Sequence, residues 1–212
     1  MIDTPWKGRM EFLNAVWTNY LGKDVVPEYR NTMMRHITLI LDQNPTYSLV
    51  DCGCGTGLIF KMLPEEHRHR YTGFDFTADA VNFCRTHYPE HADKFYQGDL
   101  LKSATFKRGD LMITQNVIQH ILLWQEALRH IIEKQPETIL MCERTHREPS
   151  MIAGYLAPDH SAVRWRFNIQ DIKNALDYFG VDNYTPAEIL GHPRTTKNEK
   201  NMLTIYRTRR RA

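Results

Sequence analysis

The sequence predicts an α/β protein of three layers, in which helices cover both faces of a doubly wound, mostly parallel sheet of seven strands with an antiparallel last strand. Three observations lead to this prediction. Short apolar segments alternate with amphipathic helical segments through the middle of the chain. A glycine-rich turn joins the first strand to its helix. The last two strand-like segments have no helix between them, so they are expected to pair antiparallel.

The chain opens with two amphipathic helical segments, residues 9–22 and 27–43, and then alternates between strands and helices. The predicted strands of the alternating part are 47–52, 70–76, 94–100, 110–116 and 137–143, and its helices are 57–66, 78–88 and 123–134. A helix at 168–180 and strands at 185–191 and 201–209 follow. Residues 144–167 have no clear period, which favours a lid or binding loop.

The length of 212 residues suits a single domain, 1–212. We divide it into an N-terminal helical cover (1–44), a ligand-binding core that carries the glycine-rich turn (45–143), a lid or binding loop (144–167), and a C-terminal helix with a strand pair (168–212).

The composition is that of a soluble globular protein, with 42% hydrophobic residues, 25% charged residues and a formal net charge of +2. This charge creates no global field that would favour a nucleic-acid or membrane partner. The sequence shows neither a signal-peptide pattern nor an apolar stretch of about 18 residues, so we expect no secretion and no membrane span.

The spacing of the four cysteines indicates reduced thiols in a cytoplasmic protein. Cys52 and Cys54 lie too close together for an ordinary disulfide or a two-ligand zinc knuckle, and we expect no metal site. Cys84 falls in a helical pattern and Cys142 in a strand pattern, as buried cysteines often do.

The glycine-rich turn has Gly53, Gly55 and Gly57 at every second position. A triphosphate-binding loop needs Lys and then Ser or Thr after its last glycine, but Leu58 and Ile59 stand there. A dinucleotide-binding turn has the spacing G-x-G-x-x-G, whereas this chain has G-x-G-x-G. The turn therefore predicts close approach of a ligand to the backbone without identifying that ligand.

Acidic residues end three of the predicted strands. Asp51 directly precedes the glycine turn, Asp75 ends the second strand and Asp99 ends the third. Asp75 is placed to accept both ribose hydroxyls of a nucleoside, or alternatively to cap the next helix. Asp99 is placed to accept an adenine amino group, or alternatively to cap a turn.

This series resembles the class I S-adenosylmethionine-dependent methyltransferases, which have a Rossmann-like fold. The resemblance rests on Asp51-x-Gly53-x-Gly55-x-Gly57, on Asp75, on Asp99 and on "TQNVIQHI" after the fourth strand. It covers about residues 45 to 145, and the final helix and strand pair extend it. The Gly-Gly turn common before the family's fifth strand is replaced by "EKQPETIL", and the chain beyond Glu143 matches no substrate signature.

The resemblance implies S-adenosylmethionine as the cofactor. Asp51 would act on its amino group, directly or through the turn, and Asp75 would hold the ribose hydroxyls. Asp99 and Leu100 would hold the adenine, and the Gln115 carbonyl would contact the methionine moiety. The predicted cofactor-binding residues are Asp51, Gly53, Cys54, Gly55, Gly57, Asp75, Phe76, Asp99, Leu100, Gln115, Tyr29 and Arg30.

A hydroxyl or ammonium acceptor must lose a proton, so a base is expected near the cofactor. The predicted catalytic residues are His120, Glu143 and His160. Each has a simpler alternative. His120 could be a structural histidine bonded to the backbone, Glu143 could form an ion pair with Arg144, and His160 could be a solvated histidine in the lid. His146 is a lid candidate as well, and Tyr155, Trp165 and Arg166 either line an acceptor pocket or pack the lid.

The prediction is a methyltransferase (EC 2.1.1.-) that acts on oxygen or nitrogen of a small-molecule acceptor. "TQNV" stands where DNA amino-methyltransferases have an Asn- or Asp-Pro-Pro-Tyr motif, and no cysteine lies between 84 and 142 to attack cytosine. One alternative is an RNA- or protein-directed enzyme that uses the basic tail 207–211 and the lid. Another is a non-catalytic cofactor-binding or nicotinamide-binding protein of the same fold. The sequence predicts no oligomeric state.

Overall fold

The computed structural model describes residues 28–146, 169–181, 184–189 and 199–207, and side chains within 29–143 and 170–181. The helices are α1 Glu28–Gln43, α2 Leu58–Met62, α3 Glu65–Arg68, α4 Ala78–His87, α5 Trp124–Glu133 and α6 Ile169–Tyr178. The strands are β1 Leu49–Cys52, β2 Tyr71–Asp75, β3 Phe95–Gln97, β4 Leu111–Gln115, β5 Thr138–His146, β6 Tyr184–Ile189 and β7 Glu199–Arg207. Short 3₁₀ helices lie at Pro89–Lys94, Ser103–Thr105 and Ile118–His120.

The strands form one sheet in the order β3-β2-β1-β4-β5-β7-β6. The pairs among β1 to β5 are all parallel, and β7 is antiparallel to both β5 and β6. After β1 the chain forms β2 and then β3 on one side of β1, and it then returns to form β4 on the other side of β1. Ligands of open α/β sheets bind where the strand order reverses in this way, at the carboxyl ends of the strands.

Two apolar clusters cover the two faces of the sheet. Leu49 belongs to the cluster that includes residues of α1, α2 and α4, while its neighbour Val50 belongs to the cluster that includes residues of α5 and α6. Successive strand residues point to opposite faces, so both faces of β1 are buried. This arrangement confirms the three-layer α/β class.

Several elements have bounds that differ from the sequence prediction; β3, for example, spans only Phe95–Gln97 of the predicted 94–100. The helix predicted at 57–66 is broken into α2 and α3, because Leu63 precedes Pro64 and takes an extended conformation with ψ 131. Strand β5 continues to His146, three residues into the loop predicted at 144–167. The helix predicted at 9–22 and the remainder of that loop lie outside the described residues.

The end of α6 agrees with the sequence prediction. Gly180 has φ 72, and the Val181 amide donates to the Leu176 carbonyl at 2.9 Å. A left-handed glycine at this position satisfies the last carbonyls of a helix. Among the described helices, none is long and apolar enough to cross a lipid bilayer.

The burial of α1 can be tested with two leucines on the same helix. Leu41 is fully buried, whereas Leu39 is 51% exposed. We expect Leu41→Ala to lower the free energy of unfolding by about 2–5 kcal/mol, because it removes buried methyl groups and leaves a cavity. We expect Leu39→Ala to change it by less than about 0.5 kcal/mol. Urea unfolding measures both, and equal effects would contradict this packing of α1.

Candidate active site

The glycine turn after β1 has one open position between two packed ones. Gly53, Gly55 and Gly57 have φ values of 82, 53 and 72, in the left-handed region that favours glycine. A Cβ atom on Gly53 would lie 2.7 Å from the Val117 methyl groups, and one on Gly57 would lie 2.8 Å from Cε2 of Tyr88. At Gly55, no described atom lies within 4 Å of that position. A ligand can therefore approach the backbone at Gly55.

The carboxylate of Asp75 holds this open position from the end of β2. Its Oδ2 accepts a hydrogen bond from the Gly55 amide at 3.1 Å. Its Oδ1 accepts from the Thr77 amide at 3.0 Å and from the Thr77 hydroxyl at 2.8 Å. Thr77 itself caps α4, so the alternative of Asp75 as the helix cap is wrong. A carboxylate oxygen has further lone pairs, so Asp75 can accept additional hydroxyl groups.

Asp51 lies beneath the turn and is 2% exposed. Its Oδ2 accepts a hydrogen bond from the Tyr71 hydroxyl at 2.8 Å. Gly73 provides the room, because a Cβ there would lie 2.5 Å from that hydroxyl oxygen. Burial raises the pKa of Asp51 from 3.8 to about 7, against the opposing effect of the Tyr71 hydrogen bond. The action of Asp51 on the cofactor's amino group, directly or through the turn, stays a prediction.

Two residues that the sequence analysis did not identify support the turn: Cys84 within helix α4, and Tyr88 directly after its end. The Cys84 thiol donates to the Gly55 carbonyl at 3.1 Å, and the Tyr88 hydroxyl donates to the Gly57 carbonyl at 3.2 Å. Their spacing of four residues places them on one face of a helix, and this was the available sequence signal. Cys54, also in the turn, is buried, and a hydrogen bond with the Cys84 thiol together with burial raises the pKa of its thiol.

The loop after β3 is tightly bonded within itself. Asp99 Oδ1 accepts from the Leu101 amide at 2.9 Å, and the Asp99 amide donates to Thr105 Oγ1 at 2.8 Å. Asp99 therefore caps this turn, and its role toward adenine stays a prediction. Leu100 is buried, and its carbonyl accepts from Nδ1 of His130 on α5 at 2.8 Å. Sequence reasoning also missed His130.

Phe76 directly follows Asp75 and is 37% exposed. Large apolar side chains are more often buried, so this ring offers a flat surface beside the nucleoside site that the sequence predicts.

The end of β4 carries buried polar atoms that need partners. Asn116 has φ 54, and its amide donates to the Cys142 carbonyl at 2.9 Å. Among the described residues, no hydrogen-bond partner lies within reach of three side-chain amide atoms: Gln115 Nε2, Asn116 Oδ1 and Gln119 Oε1. Buried polar groups are usually hydrogen-bonded, so this cluster fits a polar ligand at the sheet edge.

Glu143 lies at the same edge and is 1% exposed. Its Oε1 accepts from the Val117 amide at 3.1 Å and from the Ile118 amide at 3.3 Å. Burial raises the pKa of Glu143 to about 7, and these backbone hydrogen bonds oppose the rise. The carboxyl group thus binds the turn after β4, and its role as a base stays a prediction.

His120 follows in the 3₁₀ helix Ile118–His120, where its Nε2 lies 3.2 Å from Nε2 of Gln119. The structure brings it to the edge that carries Glu143, while its role as a base stays a prediction. His160, Tyr155, Trp165 and Arg166 lie outside the described residues, as do the side chains of Arg144 and His146.

The two predicted cofactor residues Tyr29 and Arg30 lie in the first turn of α1. Tyr29 is buried, and its hydroxyl accepts from Nε of Arg30 at 2.9 Å. Burial raises the pKa of the Cys142 thiol to about 12, and the charge of Arg30 opposes this rise. Tyr29 and Cys142 belong to the same apolar cluster, and the roles of Tyr29 and Arg30 toward the cofactor stay predictions.

Comparison with known proteins agrees with this geometry. Residues 50–133, which include the glycine turn, Asp75, Asp99 and the end of β4, match the family described as Methyltransferase domain. This match, together with the solved structures described below, supports a class I S-adenosylmethionine-dependent methyltransferase domain. The resemblance that the sequence motifs indicated is thereby confirmed, and S-adenosylmethionine is the cofactor that this domain implies.

A curated relative is the mitochondrial ubiquinone biosynthesis O-methyltransferase of Saccharomyces cerevisiae, which is 27% identical over 122 residues. The match covers 51% of this chain and 38% of the yeast protein, so the chain matches well under half of that relative's length.

Two solved structures share the fold. Magnesium protoporphyrin IX methyltransferase from Synechocystis PCC 6803 with bound SAH has a TM-score of 0.63 and 16% identity, over 92% of this chain and 93% of that one. The N-terminal domain of EvdMO1 in the presence of SAH and D-fucose has a TM-score of 0.63 and 13% identity, over 84% and 83%. These likenesses establish the Rossmann-like methyltransferase fold.

The buried Asp51 predicts a pH-dependent effect on stability. Because its folded pKa is raised, the stability that the proton contributes is present at low pH and is lost as the pH rises through about 7. Asparagine has no carboxyl group to ionise, so Asp51→Asn should gain stability relative to wild type as the pH rises. We expect the free energy of unfolding of the variant minus that of wild type to be at least about 1 kcal/mol larger at about pH 8 than at about pH 5.

Urea unfolding at the two pH values measures this difference. Asp93→Asn is the control, because Asp93 is exposed and its replacement should have a small effect at both values. A shift of equal size at both pH values for Asp51→Asn would contradict a raised pKa at Asp51.

Proposed function

We propose that this protein transfers a methyl group from S-adenosylmethionine to an oxygen or nitrogen atom of a small-molecule acceptor. The observation that carries the proposal is the open, left-handed Gly55, whose amide is held by Asp75 at the point where the strand order reverses. A nucleoside-containing ligand needs both close backbone approach and a carboxylate for its ribose.

The residues at this edge fit the parts of the cofactor. Asp75 would accept the ribose hydroxyls, Gly55 would admit the chain that joins the ribose to the amino acid, and Phe76 would cover the adenine. The unpartnered amide oxygens of Asn116 and Gln119 suit the donors of an ammonium group. When bound, the sulfonium supplies an activated methyl group, so the protein mainly has to position the acceptor.

The acceptor is proposed to be small. The net charge of +2 offers little help to a long nucleic-acid footprint. The end of β4 combines side-chain amides with His120, which suits an acceptor that gives up a proton. An oxygen acceptor also agrees with the name of the yeast relative.

A cytoplasmic location is part of the same proposal. The four cysteines are free and buried, in keeping with a reducing compartment. The yeast relative is named as mitochondrial, so fractionation of the native host cell distinguishes the two locations.

The open position at Gly55 gives a sharp test of the ligand site. Gly55 and Gly180 both have left-handed φ values, 53 and 72, and neither would bring a Cβ within 4 Å of a described atom. Alanine should therefore cost a similar backbone strain of about 1–2 kcal/mol at both positions. We expect only Gly55→Ala to weaken S-adenosylhomocysteine binding, by at least about tenfold, because its methyl group would occupy the approach to the backbone.

Isothermal titration calorimetry measures the two affinities, and thermal unfolding measures the two stabilities. Unchanged binding by a folded Gly55→Ala variant would place the ligand elsewhere.

The proposed cofactor is tested directly by titration with S-adenosylhomocysteine and, in parallel, with NAD. We expect wild type to bind the former and not the latter. Loss of the Asp75 carboxylate in Asp75→Ala should cost about 10- to 100-fold in affinity, from charged hydrogen bonds of about 1.5–3 kcal/mol. Asp93→Ala, at an exposed carboxylate, is the control. Binding of NAD alone, or of neither ligand by folded protein, would refute the proposal.

A further inference from the structure

Glu143 connects the end of β5 to the turn that follows β4. One oxygen of its carboxyl group accepts both the Val117 amide at 3.1 Å and the Ile118 amide at 3.3 Å. The Cys142 carbonyl, one residue earlier, accepts the Asn116 amide at 2.9 Å. Three successive amides of this turn are thus bound by two successive residues of β5.

The same turn lies against the glycine turn. The two methyl groups of Val117 occupy the space where a Cβ of Gly53 would stand, each 2.7 Å from that position. Gly53 and Cys54 donate their amides to the Phe74 carbonyl, at 2.8 and 2.9 Å, so the glycine turn is held from β2 on its other side. A shift of Val117 would therefore remove the packing contact that supports the glycine turn at Gly53.

We propose that Glu143 is a positioning residue of the cofactor site, because its carboxyl group holds the turn Asn116–Ile118 against Gly53. This inference rests on the proposed function for its effect on ligand binding. The contact itself is a property of the fold and can be measured without a ligand.

The environment of Glu143 suits a buried acceptor. The side chain is 1% exposed, and a base must reach the proton that it removes. Burial raises the pKa of this carboxyl group, so removal from water favours its neutral form. A neutral amide of the same shape should therefore accept the same two backbone amides.

The test uses the full-length protein with Glu143→Gln and Glu143→Leu. The glutamine keeps a carbonyl oxygen for the two amides, whereas the leucine removes the acceptor and leaves them buried without it. Cys142→Ala is the matched control, because Cys142 is fully buried on the same strand and belongs to the apolar cluster on the opposite face of the sheet. Its backbone carbonyl stays in place.

Two measurements are made on each variant: hydrogen exchange of the Val117 and Ile118 amides by NMR, and the Kd for S-adenosylhomocysteine by calorimetry. In Glu143→Leu we expect exchange at least about tenfold faster at both amides and affinity at least about tenfold weaker. We expect Glu143→Gln and Cys142→Ala to keep both quantities within about threefold of wild type.

Val117→Ala gives a second route to the same result should Glu143→Leu fail to fold. It removes the contact with Gly53 from a partly exposed position and should weaken S-adenosylhomocysteine binding by several-fold or more.

Three results would overturn the inference. The Val117 and Ile118 amides could exchange as fast in Glu143→Gln as in Glu143→Leu. Folded Glu143→Leu could keep both slow exchange and wild-type affinity. Val117→Ala could bind S-adenosylhomocysteine as tightly as wild type does. A residue that acts only as a base would give unchanged affinity in both Glu143 variants. Failure of wild type itself to bind S-adenosylhomocysteine would refute the proposed function instead, and the exchange rates would still test the contact.

Discussion

The site depends on keeping Gly55 open while its neighbours are packed. A left-handed backbone at three alternate glycines is stable only if the surrounding structure holds it, because isolated glycine has the most conformational freedom to lose. Asp75 holds the Gly55 amide, Cys84 holds its carbonyl, and Tyr88 holds the carbonyl of Gly57. These contacts come from β2 and α4, so the ligand site exists only when the layers have assembled.

Buried carboxyl groups occur on both sides of this turn, and burial affects them in the same direction. Asp51 and Glu143 each have a pKa raised to about 7 by removal from water. Each is bonded to a donor from another part of the chain: the Tyr71 hydroxyl for Asp51, and the amides after β4 for Glu143. A buried acid without such donors would be strongly destabilising, so these bonds explain how the fold retains acids in its interior.

The distribution of function around the sheet follows from its topology. The glycine turn and Asp75 lie on the β1–β2 side of the point where strand order reverses, and the amides of Gln115, Asn116 and Gln119 lie on the β4 side. A ligand that spans this point meets carboxylate and open backbone at one end and side-chain amides at the other. This division agrees with a cofactor that carries ribose hydroxyls at one end and an ammonium group at the other.

The class of fold could be predicted from the sequence, because the alternation of strand and helix and the glycine spacing are local patterns. The sequence also predicted Asp51, Gly55 and Asp75 as site residues, since the two acids lie at the ends of strands and Gly55 lies in the turn that follows β1. It placed the break at Pro64 inside one helix and the end of β5 three residues early, as local boundaries depend on neighbouring packing.

The tertiary structure decided which distant residues meet at the site: Tyr71 reaches Asp51 across Gly73, Cys84 supports Gly55, and Glu143 binds the turn after β4. These partners lie 20, 29 and 26 residues apart in the chain, and only the register of the assembled sheet brings them together.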